Sequence, residues 1–171
     1  MKKLTLLLIA LAVCFTADAR KKKKVEPEVV PPPTTIEIIT MVNDYWQQNH
    51  QSQVRSFWDE AAYHTGNMEA YKLLGVARWL DYSNVWANYN LWQGAREKDP
   101  SKWKYQNYGE GQDYVLFGDW QICFQNYLDI YEMQPDDYKI ARALEVMDYE
   151  VRQPQNDFWW WADALYMVMP V

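Results

Sequence analysis

The sequence predicts an all-α protein built of helical hairpins, and three observations carry that prediction. Apolar residues recur at spacings of three and four almost everywhere beyond residue 35, which gathers them on one face of a helix. Alternation of β-branched and polar residues, the mark of a half-buried strand, is nearly absent. Residues 71–86, YKLLGVARWLDYSNVW, line up with residues 131–146, YEMQPDDYKIARALEV, at an offset of 60. Each of these units reads as the end of one helix, a short turn and a second helix, the pattern of stacked hairpins.

Six helices follow in order. The first is expected over 36–48 behind the Thr34-Thr35 cap, and the second over 58–74, capped by Ser56 with Asp59 and Glu60 in its first turn. Gly75 ends the second, and a third runs over 77–90. A fourth is expected over 120–132 after Asp119, a fifth over 136–152, and a sixth from Trp160 or Trp161. Pro135 and Pro154 fall in the linkers, where a missing N–H costs nothing. Residues 92–118 form an unusually long irregular segment with Trp103, Tyr105, Tyr108 and Tyr114. Such loops are often functional, and aromatic ones often bind.

The part ahead of the helices reads differently. Lys2 and Lys3, an apolar stretch over 4–13 and Ala17-Asp18-Ala19 make residues 1–19 a secretory signal cleaved after Ala19, too short to span a bilayer. A secreted, periplasmic protein is expected, with no membrane attachment after cleavage. Cys14 would suit a lipoprotein signal, but Val13 stands where a small residue is required. Residues 20–35 are a basic and proline-rich tether, and residues 36–171 the folded body. Cleavage leaves Cys123 as the one cysteine, read as a small buried apolar residue and not a nucleophile. From Val25 onward 10 Lys and Arg face 22 Asp and Glu, and a body that acidic is a poor partner for nucleic acid.

The starts of the second, fourth and sixth helices each pair an aromatic residue with a carboxylate: Trp58 with Asp59, Asp119 with Trp120, Trp161 with Asp163. Taken singly, an Asp there is an ordinary cap and a Trp ordinary core. The triplet Trp159-Trp160-Trp161 weighs against core, because successive helical residues turn by about 100° and the three cannot share one face. Aromatic faces in a cleft suit the apolar C–H surfaces of sugar rings, and ten Trp with thirteen Tyr exceed what a plain bundle needs.

Three stretches resemble the unsaturated glucuronyl and rhamnogalacturonyl hydrolases, glycoside hydrolase families 88 and 105. They are WDEAAYHTGNMEAYKLLGVARWLDY (58–82), FGDWQICFQNYLDIY (117–131) and DFWWWADALYMVMPV (157–171), the last being the most specific through its W-W-W-x-D-A-L-Y/F-M pattern. The resemblance implies an (α/α)6 toroid of twelve helices, of which six, about half the ring, are present. The apolar run 162–171 ends with no cap or polar turn, so the ending is expected to be a truncation.

By the same resemblance, the substrate is an oligosaccharide left by a polysaccharide lyase, with a C4=C5 double bond in its terminal uronic acid. Asp163 is implied as the general acid/base that protonates C4 and then activates the water adding at C5, with Asp119 as the second catalytic carboxylate. No metal or cofactor is implied. The carboxylate spacing rule for retaining and inverting glycosidases does not apply, because C1 is not substituted. Trp161 is implied as a pocket residue, with Trp58, Tyr63, His64 and Trp120 as further substrate-binding candidates. Tryptophans around Asp163 should exclude water and raise its pKa, whereas a helix N-terminus favours the anion. Many family 105 members carry a histidine where this chain has Arg152, so their substrate preference does not transfer. Arg55 and His64 are the nearby donors for a uronate, whose main contact is expected outside this chain. A second reading, a secreted helical-repeat protein that captures glycans or peptides without catalysis, uses the same aromatic surface and signal.

Overall fold

The computed structural model describes residues 31–171. The signal sequence, Cys14 and the basic run lie outside the described residues, as does most of the tether expected over 20–35. Residues Thr34–Val171 form one compact unit. Among the described residues there are helices and no strands, in the order α1 (Thr35–Asn49), α2 (Trp58–Leu74), α3 (Ala77–Tyr89), α4 (Gly118–Gln121), α5 (Cys123–Met133), α6 (Ala141–Arg152) and α7 (Ala164–Met167). α4 and α5 are separated by Ile122 alone, so six helical units result, a partial helical toroid.

Local signals set several boundaries. At the start of α1, Thr34 and Glu37 form a reciprocal capping box, the Glu37 carboxylate accepting from the Thr34 backbone N–H at 2.7 Å. α2 ends on Gly75 at φ 66°, a left-handed position where a Cβ would be strained. Other boundaries differ from the sequence reading. Ser56 does not cap α2; its hydroxyl donates to the Gln93 carbonyl 37 residues away at 2.8 Å, and Phe57 takes the cap position without a side-chain bond. The fifth helix begins at Ala141, preceded by a 3-10 turn at Asp137–Lys139.

The sixth helix shrinks to the single turn of α7, and the three tryptophans precede it in irregular chain. The long loop holds the segment through Trp160: its indole donates to the Tyr105 carbonyl at 3.0 Å, and Tyr105 donates to Asp157 while its ring meets buried Phe158. Outside a helix the three side chains are not held at about 100° from one to the next, so sharing a face is not forbidden to them.

The core lies where α2 packs against both α3 and α5. Trp79, Trp86, Phe57, Phe124, Tyr127 and Ile130 are sealed there, and polar side chains pin the helices together. Asn67 on α2 donates to the Trp79 carbonyl and to Ser83 Oγ on α3, and Asn126 on α5 donates to the Ala61 carbonyl on α2. The long loop is an ordered structure: its arms pair through Lys104 N–H to the Asp113 carbonyl at 2.8 Å and Leu116 N–H to the Lys104 carbonyl at 3.2 Å. Buried Trp103 and the Arg142 guanidinium, which donates to the carbonyls of Ala95 and Glu97, hold it down. This loop and the starts of α2, α4 and α7 surround the site.

Candidate active site

α4 and α7 pack against each other, which puts the start of each beside the other. Asp119 is the second residue of α4 and Asp163 immediately precedes α7, so two carboxylates distant in sequence line one cavity of about 420 Å³. Trp58, the first residue of α2, and Trp161 line it as well, with Tyr108, Phe117, Tyr166 and Met167. The wall is thus aromatic and apolar apart from two acids and two phenolic hydroxyls. No cation stands in the described lining.

The two acids are not equivalent. Asp119 is half-buried, and its carboxyl is pushed up to about 6, first by burial and then by the negative charges of Asp163, Asp59 and Glu110. Asp163 is exposed, as are Trp159, Trp160 and Trp161, so the tryptophans do not withdraw it from water. The pair therefore holds a proton on Asp119 in mildly acidic solution, beside a second acid open to solvent.

Tyr108 is one of four aromatic residues of the long loop, and no local motif in the sequence sets it apart from the others as a site residue. It is placed by a relay: its hydroxyl donates to Glu110 at 2.6 Å, Glu110 accepts from Arg55, and Arg55 also holds Asp59 at 2.7 Å. The relay ties the loop tip to the start of α2, and it leaves Arg55 committed to two carboxylates. Tyr166 and Met167 sit inside the recognised DALYM stretch, a signal that pointed to them without assigning them a role.

Three sequence candidates stand away from this cavity. His64 is 1% exposed, stacked on Trp86 at 4.0 Å and hydrogen-bonded at Nδ1 to Ser83 Oγ; burial pushes its pKa down to about 3. It is a neutral core residue and no donor to a uronate. Tyr63 donates to Asn43 and accepts from Gln47, joining α1 to α2, and lines a separate apolar cleft with Ile38 and Val42. Trp120 is buried on the other side of α4, where it lines a cavity with Arg55, Asn90 and Arg96. Arg152 is spent on an exposed pair with Asp148. Among the described residues no three His, Cys, Asp or Glu side chains are grouped to hold a metal ion.

Comparison with known proteins adds the missing context. The pattern of Glycosyl Hydrolase Family 88 matches residues 34–171. A solved structure described as a polysaccharide lyase is 60% identical, with a TM-score of 0.77, and the match covers 79% of this chain and 38% of that one. A Glycosyl hydrolase family 88 protein from Bacteroides vulgatus is 55% identical, with a TM-score of 0.77 and the same coverage. The chain thus spans 38% of the length of these solved relatives. No curated protein matches it. A family pattern over the whole compact unit and an aromatic cavity with two acids at its helix ends lead to one conclusion: this chain belongs to glycosyl hydrolase family 88.

Proposed function

We propose that residues 34–171 supply the acid pair and aromatic wall of a glycoside hydrolase acting on oligosaccharides that end in a C4=C5 unsaturated uronic acid. The single observation that carries the reading is the convergence of Asp119 and Asp163 on one aromatic cavity. Its volume of about 420 Å³ suits a sugar ring, and faces such as Trp58 and Trp161 suit the apolar side of one. Asp163 acts as the general acid/base: carrying a proton taken up from the solvent it faces, it protonates C4, the positive charge spreads to C5 and the ring oxygen, and Asp163 then regains a proton from the water that adds at C5. The resulting hemiketal opens and releases the remaining sugar. Asp119, which holds a proton in mildly acidic solution, then donates a hydrogen bond within the site and keeps the total charge of the pair low until substrate displaces water. The described lining offers no cation to the uronate, so that contact comes from elsewhere in the whole enzyme. Residues 1–19 direct export, a proposal checked by whether the mature protein begins at Arg20.

A second reading is a polysaccharide lyase, the description borne by the 60% identical relative. One assay separates the two. Residues 34–171 replace the corresponding segment of the Bacteroides vulgatus protein, and absorbance of the conjugated uronate is followed on lyase-generated oligosaccharides and on intact acidic polysaccharide. The hydrolase reading expects absorbance to fall on the oligosaccharides; the lyase reading expects it to rise on the polysaccharide. Binding without any absorbance change, in a graft that folds, supports the glycan-capture alternative.

A further inference from the structure

Glu150, near the end of α6, is 3% exposed, and its contact with Gln121 leaves one polar atom on each side without a partner. Gln121 Nε2 donates to Glu150 Oε1 at 2.7 Å and to the Val115 carbonyl at 3.2 Å. Both neighbours are acceptors, so turning the amide over would face oxygen with oxygen. Gln121 Oε1 and Glu150 Oε2 are then left buried and unpaired among the described residues. A carboxylate is acceptor-only, and two orphan acceptors on one hydrogen-bonded pair are short of a single hydrogen.

We infer that Glu150 is a neutral carboxylic acid in the folded protein, with its Oε2–H donating to Gln121 Oε1, so that acid and amide close a cyclic two-bond pair positioning α4 and Asp119. α4 is a single turn with no side-chain cap, and Asp119 lies two residues before Gln121. The Gln121 amide holds the chain on both sides of Asp119, at Val115 before it and at α6 after it. Glu150 is a positioning residue, since it acts on the site only through Gln121.

The surroundings agree. Burial pushes Glu150 up to about 7, opposed by hydrogen bonding from Gln121 and by the Trp159 indole, and no charged group enters that balance. On α6 itself Asp148 and Arg152 pair with each other in solvent, and on the loop Lys104 pairs with Asp113. Asp157 is bound to the Tyr105 hydroxyl, and Asp119 on α4 responds to Asp163, Asp59 and Glu110 but not to Glu150. Lys139 is occupied by the Gln134 carbonyl at the other end of α6. The rival donor is Trp159, which lies near enough to lower the Glu150 pKa, yet its N–H makes no hydrogen bond of normal geometry to Oε2.

The sign of the pH effect follows. At pH values below about 4.5, the ordinary glutamate value, Glu150 is protonated folded or unfolded and costs nothing. As pH rises toward about 7 only the folded form keeps the proton, so stability declines, and above about 7 the full loss is present. In Glu150→Gln the amide closes the same ring without titrating.

The test uses the full chain. Near pH 6 the wild type is expected to show an infrared C=O band of a protonated carboxyl beyond the intensity that Asp119 contributes, and Glu150→Gln should remove that additional band. That variant should also lose the wild-type decline in melting temperature between about pH 5 and 8 that exceeds what Asp119 alone contributes. A missing band, or a Gln variant that keeps the full decline, overturns the neutral acid. Trp159→Phe should leave the wild-type profile unchanged; a shifted profile assigns the carboxyl to Trp159 instead. For positioning, the Asp119 midpoint is followed by carbon NMR of labelled aspartate. Glu150→Leu should lower it from about 6 toward 3.8, and Glu150→Gln should hold it. If Glu150→Leu does not fold, Gln121→Leu opens the ring from the other side and is read the same way. An unmoved midpoint refutes the positioning role. The catalytic consequence rests on the function proposed above; these measurements do not, so the two fail separately.

Discussion

His64 in the core and Asp119 at the cavity are both ionisable groups set among aromatic rings on a helix, and burial moves them in opposite ways. His64 accepts from Ser83 at Nδ1, is stacked between Trp86 and Tyr82, and its charged form is suppressed to about pH 3. Asn67 already donates to Ser83 Oγ, which leaves the hydroxyl hydrogen for His64 Nδ1. Asp119 is only half-buried, has like charges for neighbours and faces open volume. Aromatic company alone marks neither residue as functional. What separates them is where the group lies: one sealed in the core and held by a neighbour stabilises, and one facing a cavity is available for chemistry.

The largest effect that sharpens this contrast is on turnover. In the grafted enzyme, Asp163→Asn should reduce turnover about 10²- to 10⁴-fold with the fold retained, and Asp119→Asn should cost less. Absorbance assays on both variants decide it; a greater loss for Asp119→Asn reverses the roles and makes the buried acid the proton donor. His64→Ala should do the opposite. It should cost about 2 to 4 kcal/mol in denaturant unfolding, by leaving a hole between aromatic faces and an unpaired hydroxyl, while the substrate KM of the graft stays unchanged.

The pH profiles of stability should differ in sign. His64 is uncharged in the fold and takes a proton near pH 6.5 when unfolded, so stability falls as pH drops below about 6.5 and levels off near 3, a loss on the order of 4 kcal/mol. Asp119 is raised, so its cost is absent below about 3.8 and grows as pH rises through about 6. Discounted for solvent screening of a half-exposed group, that cost is about 1 kcal/mol. Urea unfolding of His64→Gln and Asp119→Asn between pH 3 and 8 should flatten the acid limb in the first and the upper limb in the second. A shared response in both would break the distinction. The smallest effect is expected at Trp161→Ala: a stacking face worth about 1 kcal/mol should raise KM about fivefold with kcat nearly unchanged.

The legibility of the chain followed the range of the interactions involved. The bounds of α2, Trp58–Leu74, and its stop at Gly75 agree with the sequence reading because periodicity and a left-handed glycine act within a turn. The capping box of Thr34 and Glu37 spans three residues and is just as local. Ser56 has the composition of a cap too, yet a carbonyl 37 residues on outcompetes the local N–H. The same holds for the tryptophan triplet, which a helical pattern placed on α7 and the Tyr105 carbonyl, 55 residues from Trp160, keeps off it.

By itself the sequence determined the all-helical class, the hairpin order and the two acids that stand at helix starts, since these depend on periodicity, caps and short motifs. Only the tertiary structure decided which aromatics face the cavity and which do not. Trp58 and Trp161 line it while Trp120, next to Asp119 in sequence, is turned into another space. It also decided that the raised acid is Asp119, because proton affinity depends on desolvation and on charges brought from Asp59, Glu110 and Asp163, and the packing of distant segments sets both.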